Sequence, residues 1–179
     1  MNRVRWLPAL LSACLATQAW AAPDVGLEQR LRAAFLINFA KFVGWPDSRF
    51  ASPDSPLLLC VPAAHGVTEA LQEAAKDKAI AGRPLQVQLV AARGDWQPCH
   101  LAYLGSNPSA ELLLTLAANS TLTVHEAARA LPGGMIRLYL DQKRMRFEVN
   151  TAATGETLQF SAKLLSMATL TNSDGLTLP

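Results

Sequence analysis

The sequence predicts an α/β domain: a mixed sheet of about six strands, mostly parallel, with an antiparallel hairpin, flanked by helices. Three observations predict it. Short apolar runs alternate with helical patterns along the chain, which is how crossover connections build a parallel sheet. Near the end, two segments that alternate apolar and charged residues flank a turn, as a hairpin requires. Half of the 179 residues are hydrophobic and 17% are charged, which suits one compact core and excludes a disordered or fibrous chain.

The first residues read as an address. Met1 to Arg5 carries two positive charges, Trp6 to Ala16 is an apolar run broken only by Pro8 and Ser12, and Ala19-Trp20-Ala21 fits a small-x-small cleavage site. Residues 1–21 are therefore expected to be a secretory signal peptide, short of the roughly 20 apolar residues a spanning helix needs. Residues 22–179 are expected to form a single exported domain. Leu11-Ser12-Ala13-Cys14 offers the alternative of a lipoprotein box with Cys14 as the lipidated first residue.

Asp24 to Gly44 is expected to be helical, with Asp24 as a cap, Leu27, Leu31, Phe35, Asn38 and Phe42 at three- and four-residue spacing, and Trp45-Pro46 as the stop. Its second half, Ala33 to Val43, is apolar nearly all round, so it needs cover on more than one side. Pro46 to Pro56 is a loop. Leu57 to Val61 reads as a buried strand and Val67 to Ala79 as a helix. Gly82-Arg83-Pro84 turns into a strand, Leu85 to Val90, whose Leu85, Val87 and Leu89 alternate with glutamines. A connector from Arg93 to Pro98 leads to a short strand at Leu101 to Leu104. Asn107-Pro108 then opens a helix through Leu112, Leu113 and Leu116.

Thr121 to Val124 is another strand, followed by a helical turn around Glu126 to Ala130. After Pro132-Gly133-Gly134 comes the hairpin: Ile136, Leu138 and Leu140 alternate with Arg137 and Tyr139, Asp141 to Lys143 turns, and Met145, Phe147 and Val149 alternate with Arg144, Arg146 and Glu148. Leu158 to Leu170 reads as a closing helix and Thr171 to Pro179 as a tail.

Charge and motifs narrow the function. Arg3 and Arg5 lie in the leader, and the remaining basic residues equal the 14 acidic ones, so the broad positive field that nucleic acid binding needs is missing. No nucleophile elbow, phosphate loop or dinucleotide fingerprint is present, and no cofactor is expected. His125-Glu126-Ala127-Ala128-Arg129 starts like a zinc-protease motif but ends on a cation where a second imidazole ligand must stand. No metal site is expected, and His65, His100 and His125 read as solvated loop or strand-end residues. Cys60 and Cys99 remain after export. In an oxidising compartment such a pair most simply bridges neighbouring strands, with a redox-active pair or two free thiols as the alternatives.

Two features are candidate binding surfaces. Phe35, Phe39, Phe42 and Trp45 either bury against the sheet or form a partner or dimer groove. Arg137, Arg144 and Arg146, near Lys143, either guard a solvated strand face or receive an acidic partner, with Glu148 neutralising part of the charge.

Asn38-Phe39-Ala40-Lys41-Phe42-Val43-Gly44-Trp45-Pro46 resembles the opening signature of the bacterial YfiR-like family. Met145-Arg146-Phe147-Glu148-Val149-Asn150, followed by Ser161-Ala162-Lys163-Leu164-Leu165, is similar to that family's late strand and final helix. The resemblance implies a periplasmic protein without catalysis that represses a membrane-anchored diguanylate cyclase by contacting its periplasmic domain, lowering cyclic di-GMP and biofilm formation. It also implies an outer-membrane lipoprotein that can sequester the repressor. Cys60 and Cys99 sit where such proteins often carry a bridge, whereas a second bridge found near the hairpin in some members has no cysteines here. A periplasmic small-molecule-sensing or carrier domain is the alternative function.

Overall fold

The structure is a computed structural model, and it describes residues 25–155 and 157–172. The signal peptide, Cys14 and most of the expected tail lie outside the described residues.

The long apolar runs become the sheet's centre. β1 (Val43–Gly44) follows α1 (Val25–Phe42) directly, and β2 (Leu57–Pro62) is the first long strand. Leu57, Leu59 and Val61 face one side of it and Cys60 the other, all buried, which explains why the sequence there shows no polar alternation. Next come α2 (Thr68–Ala75), β3 (Ala79–Ile80), β4 (Arg83–Val90), β5 (Leu101–Tyr103), α3 (Ala110–Ala118) and β6 (Leu122–His125). The hairpin β7 (Ile136–Asp141) and β8 (Arg144–Asn150) leads to β9 (Gln159–Phe160), α4 (Ala162–Met167) and β10 (Thr169–Thr171).

Eight strands form one sheet in the order β10-β8-β7-β6-β5-β2-β4-β3, and β1 pairs with β9 in a separate ribbon. Within the large sheet β7 and β8, and β3 and β4, are antiparallel; its other neighbours run parallel. The predicted class therefore holds, with more strands than expected. α1, α2 and α4 cover one face, where Leu36 and Phe39 meet Leu59, Tyr103, Val124 and Leu138. α3 covers the other through Leu113 and Leu116, packed with Val90, Ala102 and Leu104.

Four expectations change. Leu27 and Leu31 do not face the core: they are 50% and 40% exposed, while Ala33, Leu36, Phe39 and Ala40 point inward. α1 is apolar on two sides, and the sheet takes the second stripe. α2 stops at Ala75 because Asp77 adopts a left-handed φ of +54°, and Ala79–Ile80 turns back as a strand through Ala81-Gly82. Glu126 to Ala130 makes no helical turn, since the His125 ring accepts the Ala127 N–H and Arg137 reaches the Ala128 carbonyl. The closing helix is split: Gln159–Phe160 pairs with β1, Ser161 caps α4 by accepting the Leu164 N–H at 3.2 Å, and Thr169–Thr171 joins the sheet beside β8.

Candidate protein-binding surface

The aromatic residues of α1 divide between core and surface. Phe39 is 1% exposed and stacks edge-on with Phe147 at 5.0 Å between ring centres, so it belongs to the core and is withdrawn from the candidate surface. Phe35 is half-buried, 6.1 Å from Phe147. Phe42 is half-buried under Lys41 and Lys163, whose ammonium groups lie 5.9 and 5.5 Å from its ring centre. Trp45 is half-buried and donates its indole N–H to the His100 carbonyl at 2.9 Å, which ties the end of α1 to the start of β5.

The arginines divide in the same way. Arg137 forms a two-pronged pair with Glu148, at 2.8 and 2.6 Å, and lies over the Tyr139 ring; its charge is spent within the hairpin and it too leaves the candidate surface. Arg146 pairs with Asp141 at 2.8 Å, with both side chains about half exposed. Arg144 is exposed at the hairpin end and forms no ion pair among the described residues.

One pocket joins parts of three elements. Half-buried Phe35 comes from α1; half-buried Met145 sits at the hairpin tip opposite exposed Leu140; Met167 ends α4 at 54% exposure, and Leu27 and Leu31 are exposed nearer the start of α1. Phe35, Met145, Phe147, Met167 and Thr169 line the pocket, of about 340 Å³, with Arg144 and Arg146 on its rim. Large apolar side chains gathered around a concavity and edged by cations are what a protein interface presents before its partner arrives. Sequence reasoning missed Met145 and Met167 at this pocket and the exposure of Leu27, Leu31 and Leu140, because only the tertiary packing decides which apolar side chains stay at the surface.

The reactive groups elsewhere are committed to structure. Cys60 and Cys99 are bridged, with Cα atoms 5.8 Å apart, joining β2 to the start of β5 inside the second core. His100 is buried: its Nδ1 accepts the Leu58 N–H at 3.1 Å, its Nε2 donates to the Arg49 carbonyl, and its ring stacks on Phe50 at 4.4 Å. Burial pushes its pKa down to about 4, and does the same for His125, which the Arg137 charge depresses further. Both histidines thus correct the solvated expectation, being pinned inside by backbone partners.

At the carboxyl ends of β2, β5 and β6 lies a polar chain. Glu126 accepts from Arg32 at 2.5 Å and from the Tyr103 hydroxyl at 2.8 Å, Arg32 also pairs with Glu28, and His65 touches the Tyr103 hydroxyl at 3.4 Å. Burial, then the Glu126 charge, raises the Tyr103 pKa, and burial lowers that of His65. Every member is engaged by another, so the chain locks α1 to the strand ends. Among the described residues no group of three or more His, Cys, Asp or Glu side chains is placed to hold a metal ion, and no helix is long and apolar enough to cross a membrane.

The model describing YfiR/HmsC-like proteins matches residues 29–169. The chain belongs to the YfiR/HmsC-like family. The match runs from α1 to the first residue of β10 and so covers every residue lining the pocket. The YfiR/HmsC-like family is regulatory and periplasmic, with a general role in the cyclic di-GMP system, and the Cys60–Cys99 bridge is consistent with an oxidising compartment. No curated protein matches the chain.

Proposed function

We propose that the protein is a periplasmic negative regulator that binds the periplasmic domain of a membrane-anchored diguanylate cyclase, lowering cyclic di-GMP and biofilm formation. The apolar pocket between α1, the hairpin tip and α4 carries this reading, since it supplies a contact surface in a family whose role is regulatory. Binding one conformation of the cyclase better than another shifts its population without any chemical step by the regulator. An outer-membrane lipoprotein that covers the same pocket releases the cyclase by competition.

Deleting the gene raises cyclic di-GMP and surface attachment, and the wild-type copy reverses both. Leu31→Glu and Met167→Glu fold with the wild-type melting temperature but fail to complement. Unchanged cyclic di-GMP in a deletion strain with an intact cyclase overturns the proposal. A second reading, sensing of a small molecule, is favoured by the groove of about 630 Å³ between α1 and α2, beside which the Gln29 Oε1 is buried without a hydrogen-bond partner. Under it, a periplasmic metabolite raises the melting temperature of the isolated protein, and Gln29→Ala removes the rise.

A further inference from the structure

Resting on the reading that this protein acts through protein contact, we propose that the open edge of β8 over Arg144–Phe147 receives an extended segment of the partner as an added strand, with apolar and acidic residues in alternation.

The hairpin register sets which backbone groups are free. Gln142 and Lys143 form a two-residue turn with φ of +46° and +64°, and Asp141 pairs with Arg144, Tyr139 with Arg146 and Arg137 with Glu148. In a hairpin closed this way the pair flanking the turn exchanges both hydrogen bonds, and every second pair does so after it. Met145 and Phe147 are the intervening residues, so their N–H and C=O groups point away from β7. On that outer side β10 starts at the Thr169–Glu148 pair, where the parallel register gives the Phe147 C=O to the Thr169 N–H; the Met145 N–H and C=O and the Phe147 N–H lie beyond it. From Arg144 to Phe147 no strand lies alongside among the described residues. A sheet edge with unpaired amides beside an apolar pocket fits an extended chain, because main-chain bonds supply affinity and alternate side chains supply selectivity.

The two faces of that edge differ, and the difference specifies the occupant. On the α1 side, an added strand's side chains enter the pocket between Phe35, Met145, Phe147 and Met167. On the other side they meet Arg144, which is unpaired among the described residues, and Arg146, which is half exposed and shares its charge with Asp141 at 2.8 Å. The matching segment carries apolar residues at one parity and Asp or Glu at the other. A second copy fits poorly, since β8 against β8 sets the arginines of one copy near those of the other.

The test uses mature protein labelled with ¹⁵N and the blocked peptide acetyl-Glu-Leu-Glu-Val-Glu-amide. Binding is expected to shift the Met145 and Phe147 amide signals and to slow their exchange with solvent. The same peptide with lysine for glutamate should bind at least ten-fold more weakly. Proline is tolerated at an edge position whose N–H faces outward, so Met145→Pro should keep its melting temperature and lose binding at least ten-fold. If Met145→Pro does not fold, Arg144→Glu decides: it must weaken the glutamate peptide and favour the lysine peptide. No amide shift at Met145 and Phe147 with millimolar peptide, equal binding of both peptides, or a shift confined to the groove between α1 and α2 overturns the proposal. None of these results depends on cyclic di-GMP, so they separate this inference from the regulatory reading, which the deletion strain tests.

Discussion

At the scale of single residues, the structure assigns its histidines and glycines to support. His100 and His125 are neutral when folded, with pKa values near 4, but titrate near 6.5 when unfolded. Between those values the unfolded chain takes up protons that the folded chain refuses, so stability is full above about pH 6.5 and is lost as the pH falls towards 4. Chemical denaturation at pH 7 and pH 5 should show this decline, and His100→Asn should flatten it while lowering stability at pH 7. Gly133 has a φ of +76°, and a Cβ there would lie 2.8 Å from the Leu114 backbone nitrogen; at Gly134 a Cβ would lie 2.5 Å from His125 Nε2. Gly133→Ala and Gly134→Ala should each cost about 2 kcal/mol or more in a melting experiment, through strain and overpacking. The turn role of this glycine pair was legible in the sequence. The burial of His100 was not, because its partners, the Leu58 N–H, the Arg49 carbonyl and the Phe50 ring, are remote in the chain.

At the scale of elements, turn chemistry and the bridge set local stability. Gln142 and Lys143 hold positive φ angles that Asn-Gly adopts more readily, so replacing the pair with Asn-Gly should raise stability by about 1 kcal/mol. Replacing Cys60 and Cys99 together with alanine should lower it by about 2–4 kcal/mol, read as a shifted denaturation midpoint. The buried β2 and the hairpin were legible because their patterns allow one interpretation each. The orientation of α1 was not: Leu27, Leu31, Phe35 and Phe42 keep helical spacing as well as Ala33, Leu36, Phe39 and Ala40 do, and only the sheet decides which stripe it covers. The final segment misled for a related reason. Leu158 to Leu170 is apolar enough for one helix, but Ser161 starts a new one and Thr169–Thr171 finds an open place beside β8.

At the scale of the whole molecule, one sheet separates two cores with different duties. The bridge and α3 consolidate one side, and the other side ends in the pocket between α1, the hairpin and α4. The aromatic and arginine components of that pocket were visible as types, but its outline depends on where β10 begins and how α4 lies, which no local pattern encodes. Disruption should follow this division: Phe39→Asp unfolds the chain, whereas Leu31→Glu leaves its melting temperature intact and abolishes regulation. The stacking of Phe35 and Phe39 on Phe147 joins the first described helix to a residue more than a hundred positions later. Closure of that kind cannot finish until most of the polypeptide has emerged, so this core sets late, after the pieces it joins have all been made.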